Sequence, residues 1–66
     1  MKWTDAASIG LALMETHPGV DPLSVRFIDL REWVLHLEGF DDDPHLSNEG
    51  RLEAIQMAWY DEWQDR

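Results

Sequence analysis

Apolar positions recur with a helical period in three stretches of this chain. Between Asp5 and Thr16, residues Ala6, Ile9 and Leu13 fall at spacings of three and four, and Ala7, Leu11 and Met14 form a second strip beside them. That pattern predicts a first helix with a wide buried surface, from which Ser8 and Glu15 point away. Thr4 is its expected N-cap, and the Asp5 carboxylate suits the positive end of the helix dipole. His17-Pro18-Gly19 predicts its end, because proline cannot continue a helix and glycine supplies the turn.

Asp21-Pro22 reads as a cap followed by proline at the first helical position, so a short helical turn is expected through Leu23 and Ser24. Val25-Arg26-Phe27-Ile28 reads as extended, with Val25 and Phe27 on one side. Asp29 is then the expected cap of a second helix from about Leu30 to Glu38, on which Leu30, Trp33, Val34 and Leu37 gather on one face before Gly39 ends it. Ser47 and Asn48 offer a cap for a third helix running to about Gln64. Its core stripe is Leu52, Ile55, Trp59 and Trp63, with Glu53, Met57 and Asp61 opposite. Trp33, Trp59 and Phe27 are expected in the core, and Leu35 and Met57 are expected to show apolar surface. The elements predict a mainly α fold: one compact three-helix domain over residues 1–66, of winged-helix type, with at most a minimal strand pairing.

Composition tightens this picture. The chain has 66 residues and no cysteine, so neither a disulfide nor a zinc–thiolate site can support so small a core. Four tryptophans, two phenylalanines and one tyrosine supply the packing instead. No apolar run approaches the length of a membrane span and no signal-peptide pattern opens the chain, so a cytoplasmic monomer is expected. Fourteen acidic residues against five basic ones give a formal net charge of -9. Phosphates and anionic lipids are repelled by such a surface, whereas basic protein surfaces are drawn to it. The winged-helix shape therefore does not imply DNA binding here, and neither a nucleic-acid nor a membrane partner is expected.

The densest negative charge is Phe40-Asp41-Asp42-Asp43-Pro44. Adjacent carboxylates repel by about 0.5–1 kcal/mol per pair in water, and Pro44 biases Asp43 towards an extended conformation. The run calls for a cation, either a metal ion or the basic patch of another protein. A calcium-binding EF-hand loop starting at Asp41 fails, since Leu46 stands where glycine is needed and Leu52 where the bidentate glutamate belongs. Only His17, His36 and His45 could supply imidazole, and nothing in the sequence draws them together. What remains is a shallow, weak and unselective all-oxygen site from Asp41, Asp42 and Asp43 with Glu49 or Glu38.

The order of these words along the chain carries a resemblance. Lys2-Trp3-Thr4-Asp5, Val25-Arg26-Phe27 with Asp29-Leu30 and Trp33, Phe40-Asp41-Asp42-Asp43-Pro44, Ser47-Asn48-Glu49 and Leu52-Glu53-Ala54-Ile55 together resemble the IscX family of iron-sulfur cluster assembly proteins. The resemblance spans nearly the whole chain. It implies a small acidic accessory protein with a modified winged-helix fold that docks on a basic surface of a cysteine desulfurase, shares that surface with the frataxin homologue, adjusts sulfur transfer and binds iron weakly. Ile28 stands where a small hydroxyl residue is common in the family, and the Trp63 tail carries an extra tryptophan.

No catalytic constellation is found. Ser8, Ser24 and Ser47 have no histidine in a nucleophile motif, no thiol is present, and the scattered glycines form no phosphate loop. A non-enzyme is expected. The candidate partner-binding residues are Asp29, Glu38, Asp41, Asp42, Asp43, Glu49 and Glu53. The candidate ligands of a weakly bound ferrous or ferric ion are Asp41, Asp42, Asp43 and Glu49. The two readings are a regulatory adaptor of the desulfurase and an iron donor or sensor. Arg26 is expected to pair with Asp29 or a loop carboxylate.

Overall fold

The computed structural model describes residues 1–65. Three helices form the fold: α1 (Ala6–Thr16), α2 (Phe27–Leu35) and α3 (Glu49–Gln64), with single 3-10 turns at Pro22–Ser24 and Pro44–Leu46. No strand is present among the described residues. The fold is mainly α, as the periodicity predicts.

Helix α3 is the hub. Its main contact is with α1, and α2 and the turn at Pro22–Ser24 also pack against it. Ile9, Leu13 and Met14 of α1, Leu30 and Val34 of α2, and Leu52, Ile55 and Trp59 of α3 are buried together, with Trp3 and Leu37 completing the core from outside the helices. Phe27, Trp33 and Trp63 are partly buried against this cluster. Burying side chains of this size stabilises the fold by about 1.5–3 kcal/mol each. Trp59 Nε1 is enclosed without a hydrogen-bond partner among the described residues, which offsets part of that gain.

Gly10 sets the α1–α3 approach. A Cβ at this position would lie 2.7 Å from the backbone nitrogen of Trp59 and 2.9 Å from the Ala58 carbonyl carbon. Only a hydrogen side chain lets the two helices come this close.

The region around residues 25–29 departs from the expected extended segment. Arg26 is extended, at φ -73 and ψ 151, but it is the N-cap of α2, and the helix begins at Phe27 rather than Leu30. Packing decides this. With Phe27 helical, its ring joins Leu30, Val34 and Trp33 on one face, whereas an isolated four-residue strand has no partner to bond with. Asp29 therefore sits in the first turn of α2 instead of capping it. Ile28 projects outward and is 69% exposed.

Helix α2 also stops early, at Leu35, with His36 as C-cap. The chain then turns through Gly39, whose φ of 85 lies in the left-handed region that favours glycine. At the start of α1, Thr4 is not the cap. Asp5 holds that position, and its carboxylate reaches back to accept from the Lys2 backbone N–H at 2.8 Å, closing a turn ahead of the helix. The cap at Asp21 forms as expected, its side chain accepting from Leu23 N–H at 3.0 Å. So does the cap at Asn48, whose Oδ1 accepts from Arg51 N–H at 2.8 Å.

Candidate functional site

The acidic loop is built around the N-terminal segment. Trp3 is 1% exposed, and Phe40 meets its ring edge-on with centroids 4.7 Å apart. The Trp3 indole Nε1–H donates to the Asp43 carbonyl at 2.7 Å, and the Trp3 backbone N–H donates to Asp42 Oδ2 at 3.0 Å. The Asp41 N–H donates to the Met1 carbonyl at 3.0 Å. A buried ring thus pins the segment, and the loop backbone wraps it.

The three aspartates have separate tasks. Asp42 accepts two backbone N–H groups, from Trp3 and, at 2.8 Å, from Asp43, and these hydrogen bonds hold its carboxyl below the ordinary value of 3.8. Asp43 caps the turn at Pro44–Leu46 by accepting from His45 N–H at 2.9 Å, with the His45 ring nitrogen Nδ1 at 3.2 Å from the same oxygen. Asp41 meets the Met1 amino group at 3.1 Å and Lys2 Nζ at 3.4 Å. Hydrogen bonds from the amino group and from Lys2, followed by their charges, hold the Asp41 carboxyl below the ordinary value as well.

Arginines brace the far side of the loop. Arg31 Nη2 donates to the Pro44 carbonyl at 2.9 Å, its Nε donates to Ser47 Oγ at 3.1 Å, and Arg51 Nη1 donates to the Leu46 carbonyl at 2.6 Å. Two of the few cations of this chain are therefore engaged by loop carbonyls, and Arg31 also pairs with Glu32 at 3.5 Å.

The other predicted residues lie on α2, on α3 and in the turn between α2 and the loop. Glu49 and Glu53 lie exposed on the first two turns of α3, and Glu38 is exposed in the turn that follows α2. Asp29 pairs with Arg26 at 3.4 Å, as the sequence suggests. Among the described residues, Lys, Arg and amino-terminal ion pairs reach only Asp29, Glu32 and Asp41. Among the described residues no charged side chain is buried, so their negative excess lies at the surface. No three Asp, Glu or His side chains among the described residues converge as a metal-binding group. His17 is instead stacked on Trp33, with centroids 4.2 Å apart. Among the described residues there is no cleft of a size to enclose a small molecule, and no helix is long and apolar enough to cross a membrane.

Sequence reasoning singled out the aspartates but missed their internal partners. Lys2, Trp3, Arg31 and Arg51 carry no motif that points to the loop. The available signal was scarcity, since in a chain with five basic residues each one has many carboxylates and carbonyls to choose from. Met57 is exposed as expected, whereas Leu35 is partly buried against the core. Leu11, Leu23, Ile28 and Leu46 are further exposed apolar side chains.

Comparison with known proteins follows the same outline. A family model described as iron-sulphur cluster assembly matches residues 1–64. An uncharacterized protein of Pseudomonas aeruginosa is 53% identical over 62 residues, which cover 94% of this chain and 94% of that protein. The match runs through the N-terminal segment, the acidic loop and all three helices together, and on that ground the chain belongs to the iron-sulphur cluster assembly family.

Proposed function

We propose that the chain acts within cluster assembly as a regulatory adaptor, docking through its acidic corner on the basic surface of a cysteine desulfurase and modulating sulfur transfer. The observation that carries this reading is the placement of charge. Asp41, Glu38, Glu49 and Glu53 are all exposed around the junction of α2 and α3; Asp41 pairs with the Met1 amino group and Lys2, and among the described residues Glu38, Glu49 and Glu53 have no ion-pair partner. A surface of this kind steers a basic partner from a distance and suits binding better than catalysis. Docking on a protein surface also requires no cleft.

The test uses charge removal that spares the loop's internal bonds. Asp41→Asn, Glu49→Gln and Glu53→Gln combined should weaken desulfurase binding at low salt by an order of magnitude or more and flatten its salt dependence. Unchanged affinity in the triple variant would refute the reading. Sulfide release by the desulfurase, measured with and without the protein, then reports the direction of regulation. Asp41, Asp42, Asp43 and Glu49 are the ligands in the iron-donor reading. A ferrous titration against excess magnesium separates the two, because displacement at comparable concentrations marks the iron as incidental.

A further inference from the structure

Within the acidic corner, the three adjacent aspartates differ in what an incoming cation would have to displace. Asp42 is held by the backbone N–H groups of Trp3 and Asp43, and Asp43 by the backbone N–H of His45. Those donors belong to the pinned segment and to the 3-10 turn, so releasing them means opening the fold locally. Asp41 is different. Its side chain is 68% exposed, and its side-chain partners are the Met1 amino group and Lys2, itself 55% exposed.

Resting on the docking reading above, we propose that Lys2 is an intramolecular competitor, which occupies Asp41 in the free protein and yields it to an arginine of the basic partner. The anchor for this device is the neighbouring residue. Because Trp3 is buried, the Lys2 backbone is fixed beside the loop, and Lys2 Nζ reaches both the Asp41 carbonyl at 2.8 Å and the Asp41 carboxylate at 3.4 Å. The lysine therefore meets Asp41 at a high effective concentration. An exposed ammonium–carboxylate pair is nevertheless weak, and Lys2 engages the carboxylate as a point charge. A guanidinium can present a two-pronged donor to the same carboxylate, which is stronger and more directional. Exchange of Lys2 for arginine leaves Trp3 and the bond from the Asp41 N–H to the Met1 carbonyl in place, so Lys2 lets go of the Asp41 carboxylate without the fold opening.

The consequence is a built-in brake on association. Removing Lys2 should tighten docking beyond what one unit of net charge contributes. A thermodynamic cycle isolates that excess, because the long-range charge effect of Lys2→Gln is the same whether or not Asp41 is ionised.

The experiment measures binding of a hexa-arginine peptide at low salt to the full chain, to Lys2→Gln, to Asp41→Asn and to the double variant. Near-ultraviolet circular dichroism of each confirms that the Trp3 environment is retained. Lys2→Gln is expected to tighten binding about two- to fivefold when Asp41 is present, and distinctly less in the Asp41→Asn background. Equal tightening in both backgrounds would overturn the proposal, since Lys2 would then act through net charge alone. In a parallel NMR titration the Lys2 side-chain signals should shift while the Trp3 indole N–H stays fixed; movement of the indole signal with the lysine would overturn the exchange. The same four proteins are then tested on the desulfurase. If none binds it while the peptide cycle shows coupling, the docking reading fails and the competition stands. If all bind it and the cycle shows no coupling, the competition fails and docking stands.

Discussion

At the scale of single residues, adjacency in sequence conceals division of labour. Asp41, Asp42 and Asp43 look equivalent as a run of charge, yet one faces exchangeable cations, one accepts two amide protons and one caps a turn. Replacing Asp42 by asparagine should therefore loosen the N-terminal segment, whereas Asp41→Asn should leave it in place. Hydrogen exchange at the Trp3 indole N–H distinguishes them, and equal protection in the two variants would contradict the assignment. Trp3 itself is the keystone of the loop. Trp3→Phe removes the donor to the Asp43 carbonyl and should cost about 1–2 kcal/mol in urea unfolding, and Trp3→Ala, which empties a buried aromatic site, about 3–5 kcal/mol. In a domain of this size the larger loss approaches the whole stability.

At the scale of elements, the α1–α3 contact and the start of α3 give opposite expectations for the same chemical change. Gly10→Ala introduces a Cβ within 3 Å of the α3 backbone, so the helices must separate, and the variant should lose about 1–3 kcal/mol despite alanine's better helix propensity. Gly50→Ala meets nothing closer than Asn48 Oδ1 at 3.5 Å and should gain about 0.4–1 kcal/mol. Thermal melts of the two variants check the pair, and melting shifts of the same sign would contradict the packing described. How much of this was legible beforehand follows from the kind of signal involved. The stripe Leu52, Ile55, Trp59 and Trp63 and the cap at Asn48 are local patterns; the cap and the first three stripe positions hold, and Trp63 is only partly buried. The start of α2 is set by packing of Phe27 against the core cluster, which competes with the β-branched Val25 and Ile28 and wins. In the candidate site the aspartates were legible by composition. Their bonding to Lys2 and Trp3 spans about 40 positions, and no short-range pattern encodes it.

At the scale of the whole molecule, acid and salt should act on different things. Asp41 and Asp42 both bind protons more weakly when folded than a free carboxylate does, so the unfolded chain takes up more protons as the pH falls. Their contribution to stability is fully present above the ordinary value of 3.8 and is lost as the pH drops through the depressed folded values. A urea-midpoint series between pH 6 and pH 2 should show a decline at the acid end that is shallower in Asp42→Asn. An identical decline in wild type and variant would contradict the role given to Asp42.

The braces of the acidic loop run from Arg31, Arg51 and the Trp3 indole to main-chain oxygens, which carry no net charge for mobile ions to shield. On the docking reading proposed above, electrolyte should accordingly loosen the hold on a basic target long before it deforms the corner. A cell could vary the grip of such a molecule through its ionic surroundings and find the same shape ready when conditions return.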